Sequence, residues 1–239
     1  MDGSKLKVFV DFDGTITKED VGDSIFRKFG NPEKVEKIIN DLHNERISSK
    51  QCWDLLCHSV QSINEIDLNS FIDEIQIDLT FKAFVNFCNT NNIDFIVLSD
   101  GFDYYIRRIL TRENLDHLKF FANKLKIINR RFVPEYPYYN PDYPAHANPK
   151  QNHIMNNSSD DDYTIYIGDG NSDKDAAQYC DYIFAKNRLL KFCERERISY
   201  YPFKTFDDVI IRIKELLSKK RLKKRHQAQI KRKHAYEAE

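Results

Sequence analysis

Three short apolar runs in this chain each stop at a short turn of polar residues and glycine, and this feature constrains the fold more than any other. The first, Leu6 to Val10, stops at Asp11-Phe12-Asp13-Gly14. The second, Ile93 to Leu98, stops at Ser99-Asp100-Gly101. The third, Tyr163 to Ile167, stops at Gly168-Asp169-Gly170. Runs this short, rich in β-branched and aromatic residues and bounded by turn residues, read as strands buried on both faces of a parallel sheet. A fourth, Asp181 to Phe184, has the same character.

Helical patterns separate these runs, so the expected class is α/β, a parallel sheet flanked by helices. Such sheets collect their functional groups in the crevice at the carboxyl ends of the strands. Asp11, Asp13, Ser99 and Asp169 would converge there. Between the first and second runs the pattern is helical throughout. Glu19 to Phe29 is one segment, and a second starts near Pro32 and ends near His43. A third is capped at Ser48 or Ser49, and a fourth runs from Asn69 to Ile75. The sequence therefore predicts a catalytic core over 1–15 and 80–218, a helical cap over 16–79 inserted after the first strand, and a basic tail over 219–239. Tyr105 to Leu110 is expected to be helical and Leu118 to Pro134 β. Five prolines between Pro134 and Pro149 predict a loop, and Phe206 to Leu217 the last core helix.

Lysine and arginine balance aspartate and glutamate at 37 each, but unevenly along the chain. Lys219 to Lys233 holds nine basic side chains and no acid, which leaves 28 basic against 35 acidic in the first 218 residues. The expectation for the tail is a solvated helix extension whose removal after Leu217 spares activity. The rival reading is a non-enzymatic module that binds nucleic acid or another polyanion through that tail. The five cysteines form no CxxC pair, which fits reduced thiols and a cytoplasmic location. No apolar run is long enough to span a membrane, and nothing in the sequence specifies an oligomeric state.

Four carboxylates, Asp11, Asp13, Asp169 and Asp173, meeting in one crevice repel one another unless a cation joins them. A hard divalent ion with oxygen ligands, Mg2+, suits that set and suits a phosphate substrate. Asp11 at a strand end is a rigidly aimed nucleophile. Asp13, two residues on, is placed to protonate a leaving oxygen and then to activate water. Ser99 and the Gly101 backbone offer contacts to phosphoryl oxygens, and Lys150 offers a positive charge for the developing anion.

This set resembles the haloacid dehalogenase (HAD) superfamily. Asp11-Phe12-Asp13-Gly14-Thr15 matches its first motif, Ser99 the second, Lys150 the third, and Gly168-Asp169-Gly170-Asn171-Ser172-Asp173 the fourth. The resemblance implies a Rossmannoid sheet and an aspartyl-phosphate intermediate on Asp11. It implies a metal held by Asp11, the Asp13 carbonyl and Asp169, with Asp173 ligating or supporting. An acid at Asp13 marks phosphatases and phosphotransferases rather than dehalogenases. The cap position is similar to that of phosphoserine phosphatases, and Asp11 to Asp20 with Phe184-Ala185-Lys186-Asn187 resembles the methionine-salvage enol-phosphate phosphatases. Phosphoserine, phosphocholine, phosphoethanolamine and pyridoxal phosphate are alternative small phosphorylated metabolites for the same skeleton. The resemblance also gives Asp20 and Phe12 substrate-facing places. For Asp20 the plain alternative is a helix-capping acid.

Overall fold

A computed structural model describes residues 5–237. After β1 (Leu6–Asp11) the chain runs through α1 (Val21–Phe29), α2 (Pro32–His43), α3 (Ser49–Ser59) and α4 (Glu65–Glu74). Then follow α5 (Phe81–Thr90), β2 (Asp94–Phe102), α6 (Asp103–Arg112), β3 (Phe120–Ile128) and β4 (Arg131–Glu135). The last third holds α7 (Lys150–Asn157), β5 (Tyr163–Gly168), α8 (Lys174–Gln178), β6 (Tyr182–Ala185) and α9 (Asn187–Arg195). It ends with β7 (Tyr201–Pro202), α10 (Phe206–Leu217) and α11 (His226–Glu237). The strands form a mostly parallel seven-stranded sheet in the order β4-β3-β2-β1-β5-β6-β7, the α/β class expected from the sequence.

Two compact units divide the chain. Residues 5–16, 77–98 and 150–237 form one, and residues 17–76 with 99–149 form the other. In the first unit β1 pairs in parallel with β2 and with β5, so that Asp11 stands opposite Leu98 and Val10 opposite Ile167. Val8, Phe9 and Val10 on β1 and Ile165, Tyr166 and Ile167 on β5 are fully buried, because helices cover both faces of a central parallel strand. Phe206 of α10 packs on Phe81 and Phe84 of α5 at ring centroid distances of 4.9 and 5.0 Å, closing one face of the core.

The second unit contains α1 to α4, α6 and the β3–β4 hairpin, whose strands pair antiparallel from Lys124↔Glu135 to Ile128↔Arg131. Helices α1 to α4 start at the polar caps their sequences provide. Asp20, Asn31, Ser48 and Asn64 each accept a backbone N–H in the first turn that follows. Ser48 forms a full capping box with Gln51. Arg112, at the end of α6, donates to the carbonyls of Ile72, Asp73 and Ile75 at 3.1, 2.6 and 2.6 Å and so satisfies the open end of α4. Trp53 packs against Phe102 and Phe26, with centroids 5.0 and 6.0 Å apart.

Three expectations change. The second strand continues through Ser99-Asp100-Gly101 to Phe102 instead of stopping at Leu98. The hairpin extends to Glu135, one residue beyond the expected end of the β segment at Pro134. The C-terminal segment is not wholly a solvated extension. Arg232 of α11 is 2% exposed, and Arg225 lies against α8, because the nearby helix end supplies carbonyls for both guanidiniums.

Candidate active site

In the first unit the carboxyl ends of β1 and β5 bring three motif residues together. Asp11 is the last residue of β1 and only 4% exposed. Lys150 is the first residue of α7, and its side chain runs inward. Its Nζ lies 2.5 Å from Asp11 Oδ1 and 2.7 Å from Asp173 Oδ1. One buried ammonium thus bridges the first and fourth motifs, across 139 and 23 residues of sequence.

Asp173 is the hub of this cluster. Its Oδ1 accepts from Lys150 and from the Tyr166 hydroxyl at 2.5 Å. Its Oδ2 accepts the backbone N–H groups of Asp169 and Gly170 at 2.9 and 2.8 Å. A carboxylate offers about four lone-pair sites, and here all four are engaged. Asp169 follows directly on Gly168, the last residue of β5. Its Oδ2 accepts from Asn187 Nδ2 at 3.0 Å, and its Oδ1 lies 3.4 Å from the Thr15 hydroxyl. Two glycines make the approach of these loops possible. Gly14 has φ +74°, and a Cβ on it would stand 2.9 Å from Asp169 Oδ2. A Cβ on Gly168 would meet Asp173 Oδ2 at 2.5 Å.

The charges do not balance. Burial and the Asp173 carboxylate, only partly offset by Lys150, push the Asp11 carboxyl well above the ordinary range. Burial and Asp173 also raise Asp169, against the pull of Asn187. Burial alone would strip the Lys150 proton, but the two flanking carboxylates outweigh it and hold the ammonium charged. One cation for three acids is a shortage of positive charge. Asp11, Asp169 and Asp173 each present a ligand oxygen within 4.8 Å of the others, so the donor set fits a hard divalent ion. Asp13 lies past the strand end, partly exposed and outside that group of three, and its charge adds to the shift on Asp11.

In the second unit Ser99 is fully buried, and its Oγ accepts the Gly101 N–H at 2.9 Å. Ser99 is the residue after Leu98, the register partner of Asp11. Asn148 donates to the Ser99 carbonyl at 2.8 Å, and its own N–H bonds Asp100 Oδ1 at 2.8 Å. Asp20 serves as the N-cap of α1, accepting from Asp23 N at 2.8 Å. In the first unit Phe12, between the two acids of the first motif, is fully buried. Sequence reasoning missed Tyr166, Asn187 and Asn148. Tyr166 is hidden in an apolar run, where a hydroxyl beside a buried acid leaves no pattern. Asn187, the first residue of α9, sits in a left-handed conformation, φ 49°, and the sequence marked it only as part of the Phe184-Ala185-Lys186-Asn187 resemblance, with no partner named.

The sequence pattern of the haloacid dehalogenase-like hydrolases matches residues 8–178. A 2-hydroxy-3-keto-5-methylthiopentenyl-1-phosphate phosphatase of Bacillus mycoides (strain KBAB4) is 33% identical over 218 residues, 90% of this chain and 99% of that protein. A Bacillus cereus (strain B4264) phosphatase of the same name is 32% identical over the same shares. Among solved structures, a phospho-aspartyl intermediate analogue of phosphoserine phosphatase superposes with a TM-score of 0.67 at 19% identity, covering 88% of this chain and 99% of that one. A substrate-bound phosphoserine phosphatase gives 0.67 at 19% identity over 89% and 99%. With its strand-end acids, its lysine and its glycine turns in the places described, the chain belongs to the haloacid dehalogenase-like hydrolase family, among its phosphatases.

Proposed function

We propose that the chain is a Mg2+-dependent phosphatase that hydrolyses a small phosphate monoester through an aspartyl phosphate on Asp11. The observation that carries this reading is the Lys150 ammonium held 2.5 Å from the Asp11 carboxylate at a strand end, one cation inside a cluster of three acids. Asp11 and Asp169, with the Asp13 carbonyl, would hold the ion. Asp173, whose oxygens already accept four hydrogen bonds, takes the supporting role. Bound Mg2+ supplies the positive charge that lets a carboxylate approach a phosphate dianion.

An Asp11 oxygen forms a bond to phosphorus as the bond from phosphorus to the ester oxygen breaks. Asp13 gives its proton to the departing alcohol. Asp13 then takes a proton from water as that water attacks phosphorus, which releases phosphate and restores the Asp11 carboxylate. Lys150 opposes the burial and the Asp173 charge that raise Asp11, and so favours its ionised form at the strand end. The Ser99 hydroxyl and the Gly101 backbone are assigned to the phosphoryl oxygens.

For the substrate we propose the methionine-salvage enol phosphate, 2-hydroxy-3-keto-5-methylthiopentenyl-1-phosphate. Relatives that carry this name match over nearly their whole length. Residues 16–79 are proposed as a helical cap domain, and Asp20 as one of its substrate-facing residues. The test is phosphate release from that compound, phosphoserine, phosphocholine, phosphoethanolamine and pyridoxal phosphate, with Mg2+ and with chelator. Asp11→Asn serves as the control. Mg2+-dependent release that prefers the enol phosphate and vanishes in Asp11→Asn supports the whole reading. Release from another ester keeps the chemistry and replaces the substrate. Release that survives in Asp11→Asn sinks the mechanism.

A further inference from the structure

Helix α8 is only five residues long, yet it starts at Asp173, the hub of the acid cluster. A single turn has almost no internal hydrogen bonding of its own, so its last carbonyls need outside partners. Two arginines of the C-terminal segment supply them. Arg225 donates from Nη2 to the carbonyls of Ala177 and Gln178 at 2.8 and 2.7 Å, and from Nε to Cys180 at 2.9 Å. Arg232 donates to the remaining carbonyl, that of Tyr179. Four consecutive carbonyls, residues 177 to 180, are thereby closed by two guanidiniums.

The same arginines are tied to the strand that leads to the site. Asp181 Oδ1 accepts the Arg225 backbone N–H at 3.1 Å and lies 3.3 Å from Arg232 Nη2. Its Oδ2 accepts the backbone N–H and the hydroxyl of Thr164 at 3.0 and 3.1 Å. Thr164 lies on β5, the strand that ends at Gly168 beside Asp169. Arg232 and Asp181 are 2% and 6% exposed, so this ion pair is shielded from water and salt. Lys224 adds bonds to the carbonyls of Asp160 and Asp162, just ahead of β5.

We infer that Arg225 and Arg232 are positioning residues for the candidate site. By clamping the end of α8 onto β5 they fix the placement of Asp173, and through it the Asp169–Gly170 backbone and Lys150. The basic tail therefore serves the site from behind. This inference rests on the assignment of Asp169 and Asp173 to the site. Losing a guanidinium takes a donor from these partly buried carbonyls and lets the short turn unwind from its far end.

The test compares full-length wild type, Arg225→Met, Arg232→Met and Arg225→Lys by amide hydrogen exchange and by Mg2+ titration calorimetry, without substrate. Asp169 and Gly170 donate their N–H groups to Asp173, so their exchange reports on the hub directly. In the methionine variants these two amides are expected to exchange about tenfold faster, together with residues 177–181. Mg2+ binding is expected to weaken about fivefold, and Arg225→Lys to restore part of both effects. Faster exchange at 177–181 with Asp169, Gly170 and Mg2+ affinity unchanged would overturn the inference and leave a purely structural clamp. If Arg232→Met does not fold, the same comparison in Arg225→Lys decides, with about threefold as the expected acceleration. Because no arm measures turnover, an inactive wild type would refute the phosphatase reading alone.

Discussion

Lys150 donates to Asp11 at 2.5 Å while its other side meets Asp173 at 2.7 Å, so a single ammonium is the counter-charge of two buried acids. Replacing it by methionine keeps the stem and removes the charge. Asp11, already raised by burial and by Asp173, then rises further and is held protonated, which disables it as a nucleophile. Turnover is expected to fall about a thousandfold. The sign for stability follows from the raised carboxyl. The folded state binds a proton that the unfolded chain has released above about pH 4. Stability of Lys150→Met is therefore greatest in acid and declines as pH rises, giving a higher melting temperature at pH 5 than at pH 8. The reverse order would show that another group takes up the charge.

Tyr166→Phe removes one of the four donors to Asp173 and leaves the ring in place. The hydroxyl is buried, and burial together with the charges of Asp173 and Asp11 holds its proton tightly, so it acts only as a donor. The expected cost is about 1–3 kcal/mol of stability, as for a hydrogen bond to a charged acceptor. Mg2+ affinity is expected to drop while the sheet is unchanged. Urea unfolding and a Mg2+ titration of the same sample measure both. Wild-type values in each would show that the hydroxyl bond contributes nothing.

Arg112 closes the end of α4 in the second unit through three carbonyls, as Arg225 does for α8 in the first. Arg112→Met takes one donor from each of those carbonyls and is expected to destabilise the protein by about 1–2 kcal/mol. The exchange of amides in α4 is predicted to rise first. A change in the urea midpoint too small to resolve would mean that water replaces the guanidinium without penalty.

Cys88 is fully buried on α5, and burial pushes its thiol up to about 12. An unfolded thiol releases its proton near pH 8.5, whereas the folded one keeps it. The associated stability is whole below about pH 8.5 and is lost on the alkaline side at about 1.4 kcal/mol per pH unit. Between pH 8.5 and 10.5 the wild type should thus lose about 2 kcal/mol more than Cys88→Ala. Urea midpoints across that range decide the matter, and parallel slopes for the two proteins would show that the thiol does not stay protonated in the fold.

The local order of residues was enough to reveal the strands β1, β5 and β6, the start of β2, the helix start at Pro32 and the cap at Ser48, and the strand-end places of Asp11 and Asp169. Each of these depends on a short window in which apolar pattern and turn chemistry agree. The motif lysine was legible as a residue type but not as a buried one, since nothing near Lys150 in the chain announces two carboxylates 139 and 23 residues away.

The sequence by itself determined the class of sheet, the motif acids and the chemistry they permit, because strand periodicity and turn residues act over a few positions. Only the tertiary structure decided that Asp173 is saturated by four donors, that Tyr166 is one of them, and that Arg225 and Arg232 leave the basic tail to close α8. Those bonds join groups brought together by the β1–β5–β6 register. A guanidinium looks the same in the sequence whether it faces water or the carbonyls at a helix end, and only packing distinguishes the two.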